Sequence, residues 1–247
     1  MSKILQTRLP FDPHAMKQMP GIQALDPSMW LIVDDAYAAQ MGERLRLLTD
    51  HPDSVLAVSD DAKDAVDELL DEVVAHLERD HEGFKIHGSS MACPDGRSVS
   101  LRGDPLQVLG RLVQNDFAVM QKLEGSDEHV LTAAVLCFPA NWRLSEKFLR
   151  PLTTIHRPVD GYDGELARRV QRLFDGVRVG RPMWRNNALW YDDPTLHQPH
   201  RSDGQDTATV ETGLYLRSER QAIYRLPRTN AVVFGIHTFV VPKENLT

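Results

Sequence analysis

One histidine in this chain stands where its surroundings could put an imidazole to chemical use. His156 lies between Ile155 and the run Arg157-Pro158-Val159, near the end of a stretch over 136–162 that reads L-C-F-P-A-N-W-R-L-S-E-K-F-L-R-P-L-T-T-I-H-R-P-V-D-G-Y. An apolar surround favours a neutral imidazole that can face a flat hydrophobic cofactor, and proline restricts the backbone beside it. Cations form a second group: Arg143, Lys147 and Arg150 before the histidine, and Arg185, Arg217, Arg220, Arg225 and Arg228 after it. Guanidinium groups take carboxylates through paired hydrogen bonds, so several of these are candidates for anionic ligand groups. Their other use is solubility and salt bridging.

Two further constellations are weaker. Cys137 could supply a thiolate as an axial ligand, but its place in an apolar run reads as a small buried core residue. His197-x-x-His200, with Asp192, Asp193 and Asp203 nearby, has metal-ligand residue types, yet Pro194 and Pro199 make it read as a polar loop. The phosphate-cradling, dinucleotide, nucleophile-elbow and zinc-helix templates do not occur.

Elements must hold these residues in place. The 247 residues, 42% hydrophobic and 26% charged, are enough for one large globular domain with an appended segment. A formal charge of −7 opposes general attraction to nucleic acid or an acidic membrane face. No signal-like or membrane-spanning run is found, so the chain is expected to be cytoplasmic and unanchored. The two cysteines, Cys93 and Cys137, fit a reducing compartment, with a disulfide between them left open.

Residues 1–33, with Pro10, Pro13, Pro20 and Pro27, read as an extended arm anchored by Met16, Met19, Ile22 and Leu25, and 34–247 as one domain. Tyr37, Met41, Leu45 and Leu48 predict a helix capped by Asp34 or Asp35 and ended by His51-Pro52. Residues 55–58 read as a short extended piece. Ala65, Val66, Leu69, Leu70, Val73, Val74 and Leu77 then form the clearest amphipathic stripe, with its acids facing solvent. Residues 81–103 read as a loop or irregular hairpin. Asp104-Pro105 opens a predicted helix that runs through Leu106, Leu109, Leu112, Val113, Phe117 and Met120 to Gly125.

The apolar run 129–138 predicts a strand covered on both faces. Leu166, Val170, Leu173, Phe174 and Val177 predict a helix capped by Asp163, with a stop at Gly180-Arg181-Pro182. The end of the chain predicts three strands, through 210–217, 223–226 and 231–241, with a hairpin turn at 227–230. The expected class is α+β: an antiparallel sheet with helices concentrated in the N-terminal half.

Several blocks carry a resemblance. Leu136-Cys137-Phe138-Pro139 with Trp142, Leu144 and Lys147, then Leu152, Ile155-His156, Pro158-Val159 and Tyr162, resemble the haem-dependent oxidative N-demethylase α-subunit family. Leu9-Pro10-Phe11, Asp34-Asp35-x-Tyr37, 216–221 and Arg225 through Phe234 are similar to its flanking parts. The resemblance implies a PAS-like fold, haem b as cofactor with His156 as proximal iron ligand, and Arg185, Arg217, Arg220 and Arg225 as propionate or pocket contacts. It implies oxidative removal of a methyl group from a small amine with O₂, releasing formaldehyde, and electrons from a separate flavin or iron–sulfur reductase. A PAS-like haem or small-ligand sensor without turnover is the alternative; a sensor would make no formaldehyde. Where the family has a glycine after the lysine, a second proline, and an Asn-Trp pair, this chain has Phe148 or Leu149, Asp160, and Asn187-Ala188.

Overall fold

The computed structural model describes residues 3–13, 21–155, 164–200 and 208–246. In chain order the elements are β1 (Gln23–Ala24), α1 (Tyr37–Asp50), α2 (Pro52–Val55), β2 (Leu56–Val58), α3 (Lys63–Asp80), β3 (Lys85–His87), β4 (Ser90–Ala92) and β5 (Ser98–Ser100). There follow α4 (Pro105–Leu112), β6 (Asp116–Lys122), β7 (His129–Val135), α5 (Leu144–Lys147), α6 (Leu152–Ile155), α7 (Gly164–Gly176), β8 (Met183–Tyr191), β9 (Tyr215–Arg225) and β10 (Val232–Pro242).

Seven strands form one antiparallel sheet in the order β1-β8-β9-β10-β6-β7-β2. Strand residues alternate between faces, so the sheet carries two cores. On the first face Phe117, Val119, Ala222 and Val233 pack with Met41 and Leu47 of α1, Leu69, Val73 and Leu77 of α3, and Leu109 and Leu112 of α4. On the second, Met120, Leu131, Ala134, Ile223 and Val232 pack with Leu144 of α5, Leu152 of α6 and Phe174 of α7. This two-layered burial explains why helices are not confined to the N-terminal half: the second face needs its own cover, and the later helices supply it. The expected N-terminal concentration is corrected accordingly.

Other expectations change for local reasons. Asp104 does cap α4 by accepting from Gln107 N at 2.9 Å, but the helix ends at Leu112. Phe117 and Met120 lie instead on β6, on opposite faces, and both are buried. A strand that is apolar on both sides has no clean alternation to separate it from a helix. Residues 81–103 hold a three-stranded meander, β3-β4-β5. The cap before α1 is Ala36, while Asp34 Oδ1 accepts from Ala36 N at 3.0 Å and Asp35 accepts from Thr7. Residues 55–58 divide between the end of α2 and β2.

β8 has no counterpart among the predicted strands, and β9 is one strand of 11 residues that begins at Tyr215, leaving Val210 and Leu214 exposed. The turn at 227–230 is found, with Leu226 N donating to Ala231 O and Asn230 at φ 58°. Of the arm anchors, Ile22 and Leu25 pack on the two cores, and Met16 and Met19 lie outside the described residues, as does the Asp163 cap. Cys93 and Cys137 are free buried thiols. Among the described residues no helix is long and apolar enough to cross a membrane.

Candidate functional site

The turn that follows β7 is held from three directions. Asp116, at the start of β6, accepts from the amides of Cys137 (2.7 Å) and Phe138 (2.8 Å) and from Arg44 Nη1 (2.6 Å). Arg44, from α1 and fully buried, also donates to the carbonyls of Gly110, Gln114 and Asn115. From the other side Arg217 donates to Phe138 O at 2.8 Å and to Leu196 O and Thr195 O, and His197 Nδ1 lies 2.9 Å from Cys137 O. Burial pushes the Cys137 thiol up to about 12, in keeping with a small neutral core group.

That turn leads into α5 and α6, which cover the second sheet face. β8 and β9 run side by side there, and their register sets Met183 against Ile223, Arg185 against Gln221, and Asn187 against Glu219. Directly paired residues share a face, so this row passes from apolar to polar along the sheet. At the apolar end Ala118, Phe234, Met183, Trp142 and Ile155 are half-buried against the second core. Ile155 ends α6, and the next residue in the chain is His156. His156, the central sequence-predicted ligand, lies outside the described residues.

At the polar end three charged side chains gather. Lys147 Nζ sits 4.2 Å from the centre of the Trp142 ring. Burial pulls the Lys147 ammonium below its usual range, against the attraction of Glu219 and Glu146. Arg185 is lowered by burial in the same way, against Glu219. The Glu219 carboxylate is half-buried and accepts from Asn187 Nδ2 (3.1 Å) and Gln221 Nε2 (3.0 Å). Lys147 and Arg185 are thus two half-buried cations that both feel the Glu219 carboxylate.

The remaining sequence-predicted arginines direct their hydrogen bonds elsewhere. Arg217 holds the 138 and 195–196 carbonyls as described. Arg220 points to the first face and donates to Trp30 O and Met29 O, and burial brings it down to about 10. Arg225 donates to the carbonyls of Phe174, Val177 and Asn230, closing the C-terminal end of α7. Backbone carbonyls accept from these guanidinium groups, and the β8–β9 register sets Arg185 against Gln221 on the mixed face. His200 is bonded to Arg143, and among the described residues no three His, Cys, Asp or Glu side chains group as metal ligands.

Sequence reasoning passed over Glu219 and Gln221 as site residues. Their signal was alternation: 219, 221 and 223 share one face, as do 183, 185 and 187. Of the departures noted, Asn187 lies on the mixed face while Ala188 pairs with Ser218 and belongs to the opposite one. Leu149 occupies left-handed backbone, φ 57°, where a glycine carries no Cβ penalty.

A mixed α and β chain whose second sheet face, beneath α5 to α7, is apolar at one end and carries Lys147 and Arg185 at the other has the side-chain chemistry suited to a flat, apolar ligand with an anionic edge. The chain belongs to the family described as haem-dependent oxidative N-demethylase, alpha subunit-like, which matches residues 21–247. Haem has that chemistry: an apolar macrocycle and two propionates. The donor set fits it, since the face has an apolar patch at Ile155 and two half-buried cations, Lys147 and Arg185.

Proposed function

We propose that this chain is the haem-binding subunit of an oxidative N-demethylase, with a PAS-like use of its sheet face as the cofactor wall. The family match over residues 21–247 carries the reading, because it spans every element that builds the mixed face. His156 would hold the iron through a neutral imidazole, and Lys147 and Arg185 would take the propionates as charge-assisted partners. Arg217, Arg220 and Arg225 serve by holding the surrounding backbone.

When bound, haem b supplies O₂ activation, so that a methylated amine, O₂, two protons and two electrons from a separate flavin or iron–sulfur reductase yield the demethylated amine, formaldehyde and water. The chain's own residues place and enclose the amine. Trp142 and the apolar row of β8 and β9 exclude water, and the Asp116 and Arg217 clamps keep the segment leading to Trp142 and Lys147 in position.

The test is the ultraviolet–visible spectrum of protein expressed with a haem precursor. Wild type is expected to show a Soret band that His156→Ala loses or shifts. No band in either protein refutes the haem assignment. Formaldehyde release with a generic reductase then separates turnover from sensing.

A further inference from the structure

We propose that Trp30 and Tyr224 form a redox-active pair on the first sheet face that gives up one electron to an oxidant, with Glu72 taking the proton that Tyr224 loses. The chemistry of the pair is independent of the haem reading above. Its use, as a discharge path for a cofactor oxidised with no amine to react, rests on that reading.

The Trp30 and Tyr224 rings are stacked, with centres 4.2 Å apart and planes 14° from parallel. The other aromatic pairs among the described residues are tilted or edge-on, including those of Trp30 with Phe117 and His76. Overlap of two electron-rich faces lets both rings share the charge left when one loses an electron. Arg220 fixes Trp30 in place by donating to its carbonyl at 2.7 Å.

The two rings differ in where a proton can go. The Trp30 indole N–H is buried and meets no acceptor among the described residues. An oxidised indole there keeps its proton and stays charged, which is costly in an apolar setting. Tyr224 Oη donates to Glu72 Oε2 at 2.7 Å. Burial, with Glu72 adding to it, holds the phenol above its usual range, so it stays protonated until it is oxidised. Tyr37 by contrast donates to the Leu112 carbonyl, which is no base for a phenolic proton.

Whichever ring loses the electron first, the vacancy therefore settles on Tyr224. The Tyr224 O–H bond breaks, an O–H bond forms on Glu72, and the electron goes to the oxidant. A neutral phenoxyl radical and a neutral carboxylic acid remain. Tyr224 and Glu72 are both half-buried, so the radical lies where a small reductant such as a thiol can reach it.

Position ties the pair to the cofactor wall. Tyr224 follows Ile223 in β9, and strand neighbours face opposite ways. Ile223 belongs to the second core and Tyr224 packs on the first, so one strand separates the pair from the mixed face.

Two measurements on the full chain test this with wild type, Tyr224→Phe, Glu72→Gln and Trp30→Phe. Phenylalanine at 224 keeps a stacked ring and glutamine at 72 keeps an acceptor oxygen, so thermal midpoints of these two should match wild type. In the first, photogenerated ruthenium(III) tris-bipyridine is the one-electron oxidant and transient absorbance reads the tyrosyl radical. Tyr224→Phe is expected to lose most of the signal and Trp30→Phe part of it. In Glu72→Gln the signal should rise roughly tenfold more slowly or worse, the scale of losing a general base. Equal signals in wild type and Tyr224→Phe, or equal rates in wild type and Glu72→Gln, overturn the assignment, and an undiminished signal in Trp30→Phe removes Trp30 from the pair. In the second, haem-loaded protein is treated with hydrogen peroxide in the absence of amine, and Tyr224→Phe is expected to lose its Soret band several-fold faster than wild type. Equal loss overturns the discharge role. If the wild type takes no haem, the haem reading and the discharge role fall together, and the ruthenium result alone decides the pair.

Discussion

Replacing Asp116 by asparagine removes one charge from the most buried ion pair of the fold. Asp116 and Arg44 have side chains 2% and 0% exposed, and three donors converge on the carboxylate: Arg44 Nη1, Cys137 N and Phe138 N. Asparagine has the same shape but only one acceptor oxygen. Whichever way its amide is turned, an N–H faces an N–H, and Arg44 keeps a buried charge with no counter-ion. Stranding one member of a buried pair costs about 3–5 kcal/mol. An unsatisfied buried amide adds about 1–3 kcal/mol. A loss of roughly 4 kcal/mol or more is therefore expected from a total of about 5–15 kcal/mol. Urea unfolding followed by tryptophan fluorescence reads this directly. The control is Asp71→Asn, whose pair with Arg228 has side chains 67% and 64% exposed and should cost less than about 1 kcal/mol. If Asp116→Asn also falls within about 1 kcal/mol of wild type, the clamp does not hold the 137–138 turn as described.

Stability should also fall with acid in a defined window. Burial brings buried His76 down to about 4, with Asp80 opposing and His81, Arg79 and Arg220 adding to the shift. The unfolded chain then binds a proton near 6.5 that the folded chain refuses until about 4. Stability is thus intact above the unfolded value and is lost as pH falls between the two, by about 3 kcal/mol in all. Urea midpoints from pH 7 to 4 test this, and His76→Asn should flatten the profile; a flat wild-type profile refutes it. Arg225→Met should cost about 2 kcal/mol by freeing the carbonyls at the end of α7, measured by thermal unfolding, while leaving the Soret spectrum unchanged. Lys147→Met removes a half-buried cation and should leave stability within about 1 kcal/mol of wild type, but haem retention on gel filtration should drop at least several-fold.

Much of this protein can be read directly from its residues. The stripe from Ala65 to Leu77 becomes α3, the apolar run over 129–135 becomes β7, and the blocks from Leu136 to Ile155 point to the family. These are local signals: a helix period, a strand buried on both faces, a run of specific side chains. Tertiary structure decided what local pattern leaves ambiguous. Residues 116–122 satisfy a helical count as well as a strand, and only pairing with β7 and β10 makes them β6. The arginines after 180 are chemically alike in sequence, and their use depends on which carbonyls lie within reach once the chain has folded. Arg185, Glu219 and Lys147 come together because β8 and β9 pair in one register and α5 folds over them. A charge cluster assembled from three distant segments has no spacing to read, since the distances that define it exist only across the sheet.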